Sequence, residues 1–366
     1  MALQSHVDKG LVLQDLIVNT KHNDEGPMRL AILDDYQGLS HEIVDWKQVP
    51  DLSVVAFRDH VHREDELISR LEEFDVVMRI RERTEFPSSV LRRLPRLRLL
   101  LASGMRNARS IDLKVTDELG ITVCTTDAVH QTTVEVTWAL ILSLFRRIPQ
   151  ETSSLRAGGW QTGVGSGLAG KTLGVIGLGN MGIPVSQVAK LFGMNVVAWS
   201  RNLTPERAAS HGVMAVNKAE LLSTSDVVTL HLPLTDETEG IVGAADIGLM
   251  KRGAFFINTS RPQLVDEGAL VRALSSGAIG GAGLDVFNIE PLPLDHPFRT
   301  LPNVVATPHI GFVTSKNMDQ FYRQSLENLL AYRAGRPINV ITSVSPFLPD
   351  SQVAAQMHDR PLDRRA

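Results

Sequence analysis

The chain has 366 residues, 43% hydrophobic and 21% charged, the usage of a globular protein rather than a disordered one. Lys and Arg total 37 against 41 Asp and Glu, a formal net charge of −4 at pH 7 with no long basic run, so no nucleic-acid partner is expected. The length exceeds what one hydrophobic core usually fills, which predicts two domains.

Residues 1–27 have no clear period and read as an N-terminal extension. Their apolar patch Leu11-Val12-Leu13 is broken by Gln14 and Asp15, too early for a signal peptide or a membrane span, and the expected location is cytoplasmic. Folded structure is expected to begin at Met28. From there, apolar runs at Arg29–Leu33, Leu52–Phe57, Phe74–Met78, Leu97–Leu101 and Ile121–Cys124 alternate with helical or turn segments, the signature of a parallel sheet. The single cysteine, Cys124, sits in one of these runs and reads as a small buried hydrophobe, as a reducing compartment allows. His60-Val61-His62 lies among Asp59, Glu64 and Asp65 and reads as a solvated loop. Without a Cys or HExxH partner, the pair predicts no metal site.

Thr132–Arg147 carries Val134, Trp138, Ala139, Leu142 and Leu144 at helical spacing without internal Gly or Pro, and is predicted to connect the two domains as a helix. A second series of strands follows at Thr172–Ile176, Asn195–Trp199, Asp226–Leu230, Ala254–Ile257, Gly281–Leu284 and Val304–Ala306, which predicts a doubly wound sheet. An amphipathic helix over Lys316–Ala334 would return the chain to the first domain. The predicted fold is therefore α/β: a Rossmann domain over 131–311 inserted in a flavodoxin-like substrate domain of 28–130 plus 312–340, with 341–366 a mobile tail.

The most specific motif is Gly177-Leu178-Gly179-Asn180-Met181-Gly182, directly after the apolar strand Thr172–Ile176. In G-x-G-x-x-G at a strand-to-helix junction, Gly177 permits the tight turn, Gly179 lets backbone approach a pyrophosphate, and Gly182 allows close strand–helix packing. The amides of Asn180 and Met181 would face the phosphates at the helix start. At the end of the next strand, where a carboxylate would hold the ribose hydroxyls of NAD, the sequence has Trp199-Ser200-Arg201. With no carboxylate to repel a 2'-phosphate and Arg201 placed to pair with it, the reading leans to NADP over NAD; the alternative is a solvated Arg201 and bound NAD.

Three further strand ends each carry polar residues: Asn258-Thr259-Ser260-Arg261, then Asp285 through Glu290 and Pro291, then Thr307-Pro308-His309-Ile310-Gly311. Ligands of open parallel sheets bind at the carboxyl ends of strands, so these segments are expected to converge. Here the sequence resembles the D-isomer-specific 2-hydroxyacid dehydrogenases, over roughly 28–340. The resemblance implies hydride transfer between NAD(P)H and a 2-keto acid, giving a D-2-hydroxy acid. His309 is then the general acid/base, Glu290 its partner, and Arg261 the fork for the substrate carboxylate and carbonyl. It also implies that Asp285 meets the nicotinamide carboxamide, with Thr259 among the cofactor contacts. His231-Leu232-Pro233-Leu234-Thr235 and Thr238 match the family's loop over the adenosine side. The anion loop matches Ser103-Gly104-Met105, whose amides would cradle the substrate, and Arg81 is a further candidate there; for Arg79 and Arg83 a solvated loop is an equal reading. A homodimer through the cofactor domains is implied by the same analogy.

Two departures stand out. Pro262 follows Arg261 where the family usually has Gly, and Met105-Arg106 replaces the usual Gly-x-Gly spacing of the anion loop. A formate-type enzyme would be expected to carry Gln beside the histidine, and Glu290 argues against it. The alternative from another class is a catalytically retired, nucleotide-sensing regulator on the same fold, which the intact Arg261, Glu290 and His309 disfavour.

Overall fold

The computed structural model describes residues 26–104, 110–129 and 131–346. Most of the N-terminal extension and the tail from 347 on lie outside them, as do Met105 and Arg106. The described strands, in chain order, are β1 (Met28–Ile32), β2 (Leu52–Ala56), β3 (Val76–Ile80), β4 (Leu99–Ser103), β5 (Thr122–Thr125), β6 (Thr172–Ile176), β7 (Asn195–Trp199), β8 (Met214–Ala215), β9 (Val227–Leu230), β10 (Phe255–Asn258), β11 (Gly281–Leu284), β12 (Val304–Ala306) and β13 (Val340–Ile341). The chain divides into two compact units, one from residues up to Ala128 together with those from Ser315 on, the other Val129–Thr314.

The first unit holds a six-stranded sheet of order β13-β5-β4-β3-β1-β2, parallel except for β13, which runs antiparallel to β5. Leu30, Ala31, Ile32, Val76, Val77 and Leu99–Leu101 are fully buried, as expected of central parallel strands covered on both faces. β13 escapes the sequence reading because two residues are too few to show a period. The helix Ser315–Arg333 packs on this sheet, burying Met318, Phe321, Tyr322, Leu326 and Leu329 at helical spacing. Its polar residues make long-range bonds: Tyr322 donates its hydroxyl to Asp35 at 2.8 Å and Asn328 its amide to the Thr125 carbonyl at 2.8 Å. Burial and the neighbouring Asp35 carboxylate push the Tyr322 phenol well above its usual range.

The second unit is a seven-stranded parallel sheet of order β12-β11-β10-β9-β6-β7-β8. Six of its strands are those expected; β8, again of two residues, is the addition. The chain runs from β6 outward to β7 and β8, then returns to β9 on the other side of β6. The strand order therefore reverses between β6 and β9, the place where such sheets bind ligands. The helix Thr132–Arg146 packs against β10, β11 and β12. Gly283 is required beneath it, since a Cβ there would lie 2.9 Å from that of Leu140.

Two charged segments differ from expectation. Arg79, allowed above as a solvated charge, lies inside β3 with no exposed surface and donates to the Thr84 carbonyl at 2.6 Å. Burial lowers its guanidinium pKa to about 10, against the pull of Glu82, Glu85 and Asp34. His60 is likewise no free loop residue: its ring Nδ1 lies 2.8 Å from Asp34, and its side chain is 9% exposed. The His60 contact follows from Asp34, a buried carboxylate at the end of β1 that needs donors and takes them from His60 and the Thr84 hydroxyl.

Cys124 has no exposed surface, and burial pushes its thiol up to about 12. Since the thiolate is the attacking species, an aromatic disulfide reagent at pH 8 is expected to leave the native chain unmodified and to titrate one thiol per chain in denaturant. Rapid labelling of the folded protein would overturn this placement.

Candidate active site

The glycine motif adopts the geometry that its spacing predicts. Gly177 has φ +103°, open to glycine at little cost, and a Cβ there would meet the His231 carbonyl oxygen at 2.6 Å. A Cβ on Gly182 would lie 2.1 Å from the Gly177 carbonyl oxygen, so strand and helix touch through backbone. Gly179 has nothing within 4 Å of its Cβ direction. The first and third glycines are thus consumed by packing and the middle one opens onto free space, which fits a pyrophosphate brought against the backbone. The helix Gly182–Leu191 starts here, and amides of a first turn have no acceptor within their own helix.

Beside this turn, β7 ends at Ser200-Arg201 and β9 at His231. Arg201 pairs with the Glu237 carboxylate at 2.5 Å and donates to the Glu237 carbonyl at 2.9 Å, tying the end of β7 to the loop after β9. Thr238 closes that loop, donating to the Pro233 carbonyl at 2.7 Å and accepting from the Thr235 amide at 2.8 Å. His231 is buried, bonded through Nε2 to the Thr229 hydroxyl at 2.9 Å, and its Nδ1 has no protein partner. Burial lowers its pKa to about 4.

On the other side of the reversal point, β10, β11 and β12 are adjacent and in register, Asn258 beside Leu284 and Leu284 beside Ala306. At roughly 4.8 Å per strand spacing, the segments bearing Arg261, Glu290 and His309 emerge as neighbours along one edge. His309 Nδ1 lies 2.7 Å from Glu290 Oε2, and Glu290 Oε1 accepts from the Phe287 amide at 2.9 Å, so the carboxylate is fixed while it orients the ring. The imidazole stands edge-on to Phe312 with centroids 5.4 Å apart. Arg261 sits in a turn braced by Asn258, which donates to the Arg261 carbonyl at 2.9 Å and accepts from the Ser260 amide at 3.0 Å. Pro262 opens a short 3-10 helix, where the missing amide costs nothing, so this departure leaves the Arg261 turn intact.

Asp285 is 1% exposed. Burial raises its pKa, opposed by hydrogen bonds from the Thr307 hydroxyl and the Ile310 and Gly311 amides and by the nearby His309.

In the first unit, Ser103 and Gly104 end β4 and Arg81 follows β3. Arg81 has φ +55° and its guanidinium donates to the Gly104 carbonyl. The Gly104 amide, expected to face an anion, donates instead to the Thr126 hydroxyl at 2.7 Å, and the Ser103 hydroxyl turns inward to the Arg79 carbonyl at 2.9 Å. Thr126 went unnoticed in the sequence because a lone Thr after a strand carries no periodic signal. Met105 lies outside the described residues.

The described geometry can be set beside known proteins. The profile of the D-isomer specific 2-hydroxyacid dehydrogenase NAD binding domain matches residues 138–311. The glyoxylate reductase of Aeropyrum pernix is 39% identical over 265 residues, 69% of this chain and 78% of that protein. The chain belongs to the D-isomer specific 2-hydroxyacid dehydrogenase family. Within it, the D-3-phosphoglycerate dehydrogenase of Methanocaldococcus jannaschii is 40% identical across 69% of this chain, but the match spans about half of that longer protein, 48%. Among solved structures, the phosphoglycerate oxidoreductase of Vibrio cholerae superposes with TM-score 0.79 at 35% identity, covering 84% of this chain and 99% of that one.

The depressed pKa of His231 has a consequence for stability. The unfolded chain takes up a proton near 6.5 that the folded chain refuses until about 4, so this contribution is full above pH 6.5 and is lost as pH falls toward 4. The loss is about 3 kcal/mol over that window. Denaturant melts of wild type and His231→Gln at pH 7 and 4.5 test it: the substitution should flatten the pH dependence, and identical slopes would refute the assignment.

Proposed function

We propose that the protein is an NAD(P)-dependent oxidoreductase that reduces a small 2-keto acid to the D-2-hydroxy acid and runs the reverse oxidation. The observation that carries this reading is the His309–Glu290 pair at 2.7 Å, beside the turn that bears Arg261. Because Nδ1 faces Glu290, the proton delivered to the substrate carbonyl oxygen sits on Nε2. Arg261 holds the substrate carboxylate with a planar fork and polarises the carbonyl. A bound nicotinamide supplies or accepts the hydride. The Gly177–Gly182 turn holds its pyrophosphate, with Ser200, His231, Pro233, Thr238 and Thr259 along the dinucleotide; Asp285 keeps one acceptor direction for the carboxamide. Ser103, Gly104, Met105 and Arg81 are assigned to the substrate side. The relatives include glyoxylate reductases and D-3-phosphoglycerate dehydrogenases, which favours glyoxylate as the first substrate to try.

His309→Ala is expected to lower kcat by about a thousand-fold. Arg261→Lys should mainly raise KM for the keto acid. Both are read from loss of reduced-nicotinamide absorbance with glyoxylate, hydroxypyruvate and pyruvate, and chiral analysis should return the D product. Full turnover by His309→Ala, or an L product, would sink the reading.

The cofactor is proposed to be NADP rather than NAD, supported by the absence of a carboxylate among Trp199-Ser200-Arg201. The Arg201–Glu237 pair is more than half exposed, so little is lost when a 2'-phosphate takes over the guanidinium. Glu237→Gln should then raise the NADPH to NADH ratio of kcat/KM several-fold and Arg201→Ala should lower it. A ratio insensitive to both would point to NAD.

A homodimer through the dinucleotide unit belongs to the same proposal. Its support is the exposed apolar run Ile148, Leu155, Trp160 and Val164 of that unit.

A further inference from the structure

The helix Thr132–Arg146 carries three threonines at its start, Thr132, Thr133 and Thr137, and all three hydroxyls reach the catalytic edge of the same unit, those of Thr132 and Thr137 while also bonding the Val129 and Thr133 carbonyls. Thr132 donates to the Gly311 carbonyl at 2.7 Å, and Thr133 reaches the same oxygen at 3.3 Å. Thr137, with no exposed surface, bonds the Thr259 hydroxyl at 2.8 Å. Gly311 lies two residues after His309 and Thr259 two before Arg261. The first turn and a half of the helix therefore grips both loops that carry the reacting side chains, which belong to strands β12 and β10 with β11 between them.

His309 needs such a grip. Its φ of +52° is left-handed, a conformation that a residue with a Cβ holds only when its surroundings impose it. On one side Asp285 fixes the Ile310 and Gly311 amides; on the other the threonines fix the Gly311 carbonyl. The fit is close, since a Cβ on Gly311 would lie 3.0 Å from Asp285 Oδ2 and 3.3 Å from Thr133 Oγ1. Valine would fill the same volume at these positions and keep the packing against an apolar sheet, so the hydroxyls are what these positions supply.

We propose that Thr132 and Thr137 are positioning residues of the dehydrogenase reaction, which fix His309 and Arg261 relative to each other by tying both loops to one rigid helix. This rests on the function proposed above. Thr132 acts on the proton donor and Thr137 on the substrate fork, so the two substitutions should separate kinetically.

The test uses the full chain. Thr132→Val should lower kcat about ten-fold or more, as misplacement of a proton donor by a fraction of an ångström does, with KM for the keto acid little changed. Thr137→Val should raise that KM by about ten-fold. Thr132→Ser and Thr137→Ser, which keep the hydroxyl, should behave as wild type, and dinucleotide affinity by fluorescence titration should be common to wild type, the serine variants and Thr132→Val. A second readout needs no turnover. In spectra of protein labelled with nitrogen-15 histidine, the His309 imidazole, identified as the signal missing from His309→Asn, should be single in wild type and Thr132→Ser and broadened or doubled in Thr132→Val. If Thr132→Val does not fold, Thr132→Ala carries the same expectation. Unchanged kinetics and imidazole signals in the valine variants of an active enzyme would overturn this inference alone, as would serine variants as impaired as the valine ones. A wild type that turns over no 2-keto acid would fail the functional reading beneath it.

Discussion

A carboxylate withdrawn from water must find donors, and Asp285 finds three, all within the five residues after Ala306. That requirement shapes the catalytic edge of the dinucleotide unit. The Thr307 hydroxyl and two successive amides can reach one carboxylate only if the chain between them folds back sharply, which is where His309 takes up its left-handed conformation. Glu290 then orients a ring whose backbone is already set, and the left-handed turn is imposed by its neighbours rather than chosen by histidine.

Parallel strand register does the rest. β6 and β7 lie on one side of the reversal point and β9, β10, β11 and β12 follow on the other, so residues dispersed from Gly177 to Gly311 share one edge of one sheet. This much was legible in the sequence, because buried parallel strands are nearly unbroken apolar runs and the glycine spacing marks a particular turn. The helix Thr132–Arg146 was legible too, within a residue, but its apolar stripe drew attention away from the threonines that contact the catalytic loops. Hydroxyl-to-carbonyl bonds across the fold leave no period to read.

The first unit was harder for the same reason. Asp34-Asp35 follows the first strand as an ordinary acidic pair, yet Asp34 is what makes His60 a buried partner and holds Thr84, while Asp35 anchors Tyr322. Isolated charges look solvated when composition is the only guide. The Gly104 amide illustrates the converse: a loop that resembles an anion cradle has one donor satisfied by Thr126 within the chain. Strands as short as β8 and β13 lie below the length at which alternation or continuity can be seen, and only pairing with β7 and β5 defines them.

The pairing of Tyr322 with Asp35 and Asn328 with Thr125 also orders events during synthesis. A ribosome releases β1 to β5 long before it releases the helix and strand that complete their sheet, whereas residues 129–314 emerge as one uninterrupted block. The nascent chain thus holds an unfinished half, its Asp35 carboxylate and Thr125 carbonyl still facing water, while the inserted unit has everything it needs to collapse first. A gene break placed between Thr314 and Ser315 would separate a complete fold from the last piece of an incomplete one.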